Sequence, residues 1–243
     1  MLMNLRNALM AGKRTPTAKD YVQSGLVAMW DGIENAGWGV HDPNATTWKD
    51  LIGNRDWTLG PSTSYEWTDN SFDAKDKNAA TQDFIDGSLV SMVEFCAKIR
   101  RQESAINGNY AFVILGRFQY GITRPYYGLL FRNANGTDLA LMAGLSYFNR
   151  TYPEFSETPA SFSFPDYATS SKRAYFDGVS RAPNANNTLD YNASQRGTVA
   201  RIGGLPVKDM PIEIYNMRLY SRALTADEIA RNYNIDKLRF NLP

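Results

Sequence analysis

A chain of 243 residues, 43% of them hydrophobic, has ample material for a sizeable core, and no Pro/Ser-rich linker divides it. One domain at residues 22–243, preceded by a short arm at 1–21, is the organisation expected at this length. The 26 Lys and Arg residues offset 25 Asp and Glu residues to a net charge of +1. That balance argues against nucleic acid as a partner, because phosphate binding requires a concentrated basic surface. With no run of about 18 apolar residues, no membrane span is expected. Cys96 is the single cysteine, so no disulfide can form within the chain, and a free thiol in a strand-like run reads as a buried core group.

In chain order, Leu2, Leu5 and Leu9 share one helical face before Thr15-Pro16-Thr17 ends the run. This predicts an N-terminal helical arm, packed on its own domain or docked on a neighbouring subunit. Asn4, Arg6 and Asn7 interrupt the apolar run that a secretion signal would need, so synthesis without Sec export is expected. The sequons at Asn44, Asn135, Asn149, Asn186 and Asn192 then mark polar loops. Gly25 to Trp30 reads as the first strand, and all five tryptophans, Trp30, Trp38, Trp48, Trp57 and Trp67, lie in the first third of the chain.

Further along, Leu89, Ser91, Val93, Phe95, Ala97 and Ile99 share one strand face, and Tyr110, Phe112 and Ile114 repeat the pattern with Val113 and Leu115 opposite. Apolar residues on both faces predict central strands. Tyr127 to Met142 reads as a hairpin about Asn135-Gly136, and Asp177-Gly178 as a second tight turn after Arg173–Phe176. Asn149 to Ser171, with Pro153, Pro159 and Pro165, reads as a long ordered loop. Ile212 to Tyr220 is a strand rich in β-branched and aromatic residues. It runs into Thr225-Ala-Asp-Glu228, a capping box flanked by the staple pair Leu224 and Ile229. The helix beyond is expected to last about two turns.

These segments carry a resemblance. Met217-Arg-Leu-Tyr-Ser-Arg-Ala-Leu-Thr-Ala-Asp-Glu-Ile229 resembles the closing strand and helix of the concanavalin A-like lectin/glucanase superfamily, in particular its laminin-G-like (LamG) domains. Gly25–Trp30, Trp48–Asn54, Ala174–Gly178 and Ala200–Gly204 follow in the family's order. The resemblance implies an all-β fold, a concanavalin A-like jelly-roll β-sandwich of two antiparallel sheets with a short C-terminal helix. It specifies scaffold more than activity, since this sandwich hosts lectins, adhesion modules, enzymes and structural proteins.

The glucanase branch of the family uses a Glu-x-Asp-x-x-Glu strand to project its carboxylates from one face, and this chain has no such motif. His41 is the single histidine, and no nucleophile elbow or His-rich metal motif accompanies it. A non-enzymatic module is therefore expected. Trp38, flanked by Gly37 and Gly39 on a turn, is the foremost candidate for stacking against a sugar, with Tyr126, Tyr127 and the loop residue His41 as further ligand candidates. Asp31, Asp42 and Asp50 could hold a structural calcium ion, as loop carboxylates do in lectin-like domains, or be solvated loop acids. No other cofactor is expected. The resemblance and the absent signal together imply a phage or prophage virion surface protein, made in the host cytoplasm. Its partners would be host glycans and, through the arm, other virion proteins or further copies of itself. A secreted or cell-surface carbohydrate-binding protein and, least expected, a glycan hydrolase or lyase are the alternatives.

Overall fold

The computed structural model describes residues 14–76, 78–82, 90–99, 108–115, 127–133, 138–143, 146–151, 160–165, 174–181, 185–186, 200–205, 208–209 and 212–243. Its strands are β1 Leu26–Asp31, β2 Thr47–Trp48, β3 Trp57–Leu59, β4 Tyr65–Trp67, β5 Phe72–Ala74, β6 Ala80–Gln82, β7 Met92–Ile99, β8 Gly108–Leu115, β9 Tyr127–Asn133, β10 Asp138–Ala143, β11 Ser146–Thr151, β12 Ala160–Pro165, β13 Ala174–Phe176, β14 Val179–Arg181, β15 Ala185–Asn186, β16 Ala200–Ile202, β17 Gly204–Leu205, β18 Lys208–Asp209 and β19 Ile212–Tyr220. A single α-helix, α1 Ala226–Phe240, follows them among the described residues.

Two antiparallel sheets dominate. One runs β14-β13-β12-β7-β19-β5-β4 with β1 also paired to β19, and the other runs β2-β3-β6-β16-β8-β9. Their facing side chains form one apolar cluster, in which Trp57, Leu59, Ala80 and Ile202 of the second sheet meet Trp30, Phe72, Phe95, Phe162 and Met217 of the first. The fold is thus mostly β, two packed sheets and a C-terminal helix, as expected. Trp30 meets Trp57 edge-on at 5.8 Å and Trp48 meets Trp67 at 5.4 Å, the geometry that ring quadrupoles favour.

Strand β19 organises the first sheet. It pairs with β7 along one edge, while β5 and β1 share the other, β5 at Ile212–Ile214 and β1 at Asn216–Tyr220. The register shifts between Ile214 and Asn216. Ile212 and Ile214 therefore face the sandwich core, but beyond the shift Met217 and Leu219 do. One extra residue at Tyr215 reverses which parity points inward, as a β-bulge does.

β7 lies between β12 and β19, and β8 between β16 and β9, the central placements that their two apolar faces predict. Asp177 and Gly178 both take positive φ, 50° and 73°, and join Phe176 to Val179 as a two-residue hairpin, which is the turn chemistry their pair predicts. Asn135-Gly136 lies outside the described residues, between β9 and β10.

Three expectations change. The long loop over 149–171 contains strand structure: β11 continues to Thr151, and β12 pairs with β7 in register Phe162↔Phe95. Its prolines masked the strand, although Pro165 merely ends it and residues 152–159 and 166–171 lie outside the described residues. Two of the sequons, at Asn149 and Asn186, sit in β11 and β15 rather than in loops. The C-terminal helix runs for 15 residues, not two turns. Its start is as predicted: Thr225 Oγ1 accepts from the Glu228 N–H, Glu228 accepts from the Thr225 N–H, and Leu224 and Ile229 pack in one cluster. At its end Asn241 takes the left-handed conformation at φ 55° and its N–H bonds the Lys237 carbonyl, a helix-terminating cap.

Of the expected arm, residues 1–13 lie outside the described residues. Residues 14–22 form a strap containing a short 3-10 turn, Ala18–Asp20, and Ala18, Tyr21 and Val22 are buried against the helix side of the first sheet.

Candidate functional site

The outer face of the first sheet is polar yet covered. Glu94, Cys96, Ser161, Ser163, Asn216, Arg218 and Tyr220 project away from the sandwich core and are buried by α1 and the strap. Arg218 donates to both Asp236 carboxylate oxygens at 2.7 and 3.0 Å and through Nε to Glu94 at 3.0 Å. Its guanidinium lies 4.0 Å from the centre of the Tyr21 ring. The Tyr21 hydroxyl donates to Asp236 at 2.7 Å, and Asn232 links the Val22 N–H, Glu94 and the Tyr220 hydroxyl. Ser161 and Ser163 donate to Asp236 and Glu94 respectively.

Burial raises the Glu94 carboxyl against the pull of Arg218. At Asp236 burial also opposes ionisation, but Arg218, Asn216 and Tyr21 outweigh it and hold this carboxyl below its usual range. Burial pushes the Cys96 thiol well up, so it is not poised as a nucleophile. The charged groups are paired with one another and sealed from solvent, while the Asn216 Oδ1 is buried without a hydrogen-bond partner among the described residues. The cluster holds α1 and the strap to the sheet and presents nothing to a substrate.

A second hub lies at the end of β1, where an accessible feature begins. Asp31 is buried, ion-paired to Arg239 of α1, and its Oδ1 accepts the N–H groups of Ile33 and Glu34. Burial raises the Asp31 carboxyl, with Arg239 opposing. Glu34 accepts the Ala18 N–H at 3.0 Å and Arg239 at 3.2 Å on one oxygen, and the Gly39 N–H at 2.8 Å on the other. One buried carboxylate thus ties strap, helix and turn together. Asn35 and Asp42 close the base of the turn by reciprocal bonds of 2.8 Å, and Val40 N–H bonds the Gly37 carbonyl at 2.9 Å.

Gly37 and Gly39 take φ 134° and 69°, conformations that favour glycine. Between them Trp38 is 37% exposed and Val40 beyond is 50% exposed, while Trp30, Trp48, Trp57 and Trp67 are buried. Tertiary bonds thus brace an exposed indole at the tip of the turn. The Lys19 ammonium lies 5.2 Å from the centre of its ring.

The other candidates separate. His41 is partly buried at the base of this turn, with Nδ1 3.1 Å from the Gly32 carbonyl. Tyr127 opens β9 opposite Leu115, on the other sheet, and Tyr126 lies outside the described residues. Asp42 accepts the Asn44 N–H, and Asp50 accepts the N–H groups of Met29, Ile52 and Arg55. Asp31, Asp42 and Asp50 are each occupied by separate donors, and among the described residues no group of three or more His, Cys, Asp or Glu could hold a metal ion. No described helix is long and apolar enough to cross a membrane. Sequence reading found Trp38 through its glycine flanks, but missed Lys19, Glu34 and Arg239, whose meeting no local spacing announces.

No protein-family model and no curated protein matches the chain. Solved structures do. The sialidase of Trypanosoma rangeli in complex with sialic acid superposes with a TM-score of 0.64 at 17% identity, over 94% of this chain and 35% of the sialidase. The same enzyme as its covalent intermediate with 2,3-difluorosialic acid gives 0.63 at 16% identity, over 98% and 36%. The botulinum neurotoxin serotype D binding domain gives 0.62 at 14% identity, over 86% of this chain and 51% of the domain. The chain therefore spans about a third to a half of these structures, and at such identities the likeness shows a shared fold.

Proposed function

We propose that the chain is a non-enzymatic, lectin-like module of the concanavalin A-like, laminin-G-like type that contacts glycans through the Trp38 turn. The observation that carries this reading is the contrast among the tryptophans: four fill the core, and one is held at the surface on a braced Gly-Trp-Gly turn. Sugars present apolar C–H faces that stack on such rings, and a rigid aromatic loses little entropy on binding. The structural neighbours, one solved with sialic acid and one a toxin binding domain, are consistent with a glycan-related role. The non-enzymatic part is supported by the sealing of Glu94, Asp236 and Asp31 into ion pairs beneath the helix.

The setting we propose is a phage or prophage virion surface, with a secreted or cell-surface carbohydrate-binding protein as the alternative. Capsid or tail genes beside this one, and the protein in purified particles, would support the virion; polysaccharide-utilisation genes would reverse it. For the binding itself, wild type is expected to bind a subset of a glycan array and Trp38→Ala to lose that binding with its melting temperature unchanged. A wild-type protein silent across the array would defeat the lectin reading.

A further inference from the structure

We infer that the Trp38 site is composite and selects anionic saccharides, those bearing a carboxylate or sulfate, through Lys19. This rests on the lectin reading above. Lys19 is exposed, and its ammonium lies over the indole ring, 5.2 Å from its centre. The other cations of the strap and its surroundings are engaged: Arg14 with Asp20, Arg239 with Asp31 and Glu34, Lys49 with Asp56, and Arg231 with the Asp20 carbonyl. Lys19 has no carboxylate partner among the described residues, and its contact there is with the indole.

Both halves of the site are positioned by the same buried group. Glu34 receives the N–H of Ala18, next to Lys19, on one oxygen and the N–H of Gly39, next to Trp38, on the other. The strap turn is further fixed by Asp20, which accepts from Thr17 and Arg14. Lys19 and Trp38 are thus distant in sequence, but their backbones are held together by hydrogen bonds to one carboxylate. On this reading a sugar packed against the exposed part of the indole has its ring substituents within reach of the flexible, exposed Lys19 side chain. A neutral hydroxyl there accepts a hydrogen bond from the ammonium, whereas a carboxylate or sulfate accepts it with the added attraction of opposite charges. The contact is exposed, so salt must weaken it.

The test compares an acidic glycan with its carboxyl-reduced counterpart, for example a galacturonic acid trimer and the corresponding galactose trimer, by titration calorimetry. Wild type is expected to bind the acid roughly three- to fivefold more tightly at about 20 mM salt, with the ratio shrinking toward unity at about 500 mM. Lys19→Met is expected to remove the preference by weakening the acid far more than the neutral trimer, and Lys19→Arg to restore it. Equal binding of the two trimers by wild type, or a ratio unchanged in Lys19→Met, would overturn the charge selection and leave the lectin reading standing. Absence of binding to either trimer and to every glycan on the array would overturn both.

Discussion

The molecule has two interiors built on opposite principles. Between the sheets, Trp30, Trp48, Trp57, Phe72, Phe95 and Phe162 pack as an apolar core. Beneath α1, two arginines meet the carboxylates of Glu94, Asp236, Asp31 and Glu34. The first gains stability from surface removed from water. The second must first overcome the desolvation of every charge, and contributes only because each has its partners in place. Two arginines against four carboxylates leave an excess of negative charge, and the upward shifts of Glu94 and Asp31 are the relief that burial imposes on it. Such a layer tolerates removal of one member poorly, so it fixes where the helix docks more strictly than an apolar seam would.

The sharpest break is Arg218→Ala, which strands Glu94 and Asp236. It is expected to cost about 3–5 kcal/mol in chemical denaturation, comparable to Phe95→Ala in the apolar interior at about 3–5 kcal/mol. A loss below 1 kcal/mol would mean that the polar layer contributes nothing to folding. Ile229→Asp removes an apolar anchor and buries a charge, with an expected cost of about 3 kcal/mol; an unchanged melting temperature would show the helix is not held as described. Thr225→Ala removes the cap at a solvent-exposed end and should cost about 1 kcal/mol.

The surface pair Arg222 and Glu228 has an acid-side signature. Arg222, with the Thr225 N–H, holds the Glu228 carboxyl at about 2 against an ordinary 4.5. Stability from this group is therefore present above pH 4.5 and lost as pH falls toward 2. Glu228→Gln should flatten the decline in melting temperature across that window, modestly because the pair is partly exposed; an identical acid profile would refute the assignment. Smallest of all, Trp38→Ala should change stability by less than about 0.5 kcal/mol, as a surface substitution away from both interiors. A larger loss would make Trp38 a packing residue instead of a contact.

The same contrast explains what could be read from sequence. The apolar interior was legible because Val93, Phe95 and Ala97 alternate, Trp30 and Trp48 fall in the segments that carry the resemblance, and Asp177-Gly178 spells its own turn. The polar interior was hidden. On α1 the buried positions are Ile229, Asn232, Ile235, Asp236, Arg239 and Phe240, a helical period whose members are half polar. Hydropathy assigns Asn232, Asp236 and Arg239 to solvent, so the helix looked about half its length. Tyr21 was lost to an arm for the same reason, since its partners Asp236 and Asn216 are tertiary. At the candidate site, glycine flanks exposed Trp38 to reading, while Lys19 became a neighbour only through Glu34.

The two edges of β19 have a temporal consequence. About 190 residues separate Leu26 from its partner Tyr220, so at roughly 5–20 residues per second of synthesis β1 waits on the order of ten to forty seconds for its ladder. Through that interval Trp30 and Met29, which β1 carries to opposite faces of the sheet, have only their early-made neighbours, Trp57 for the one and Tyr21 and Leu51 for the other. The first sheet cannot be completed until β19 and then α1 arrive, and a nascent chain stalled before residue 212 should be the form most in need of a chaperone.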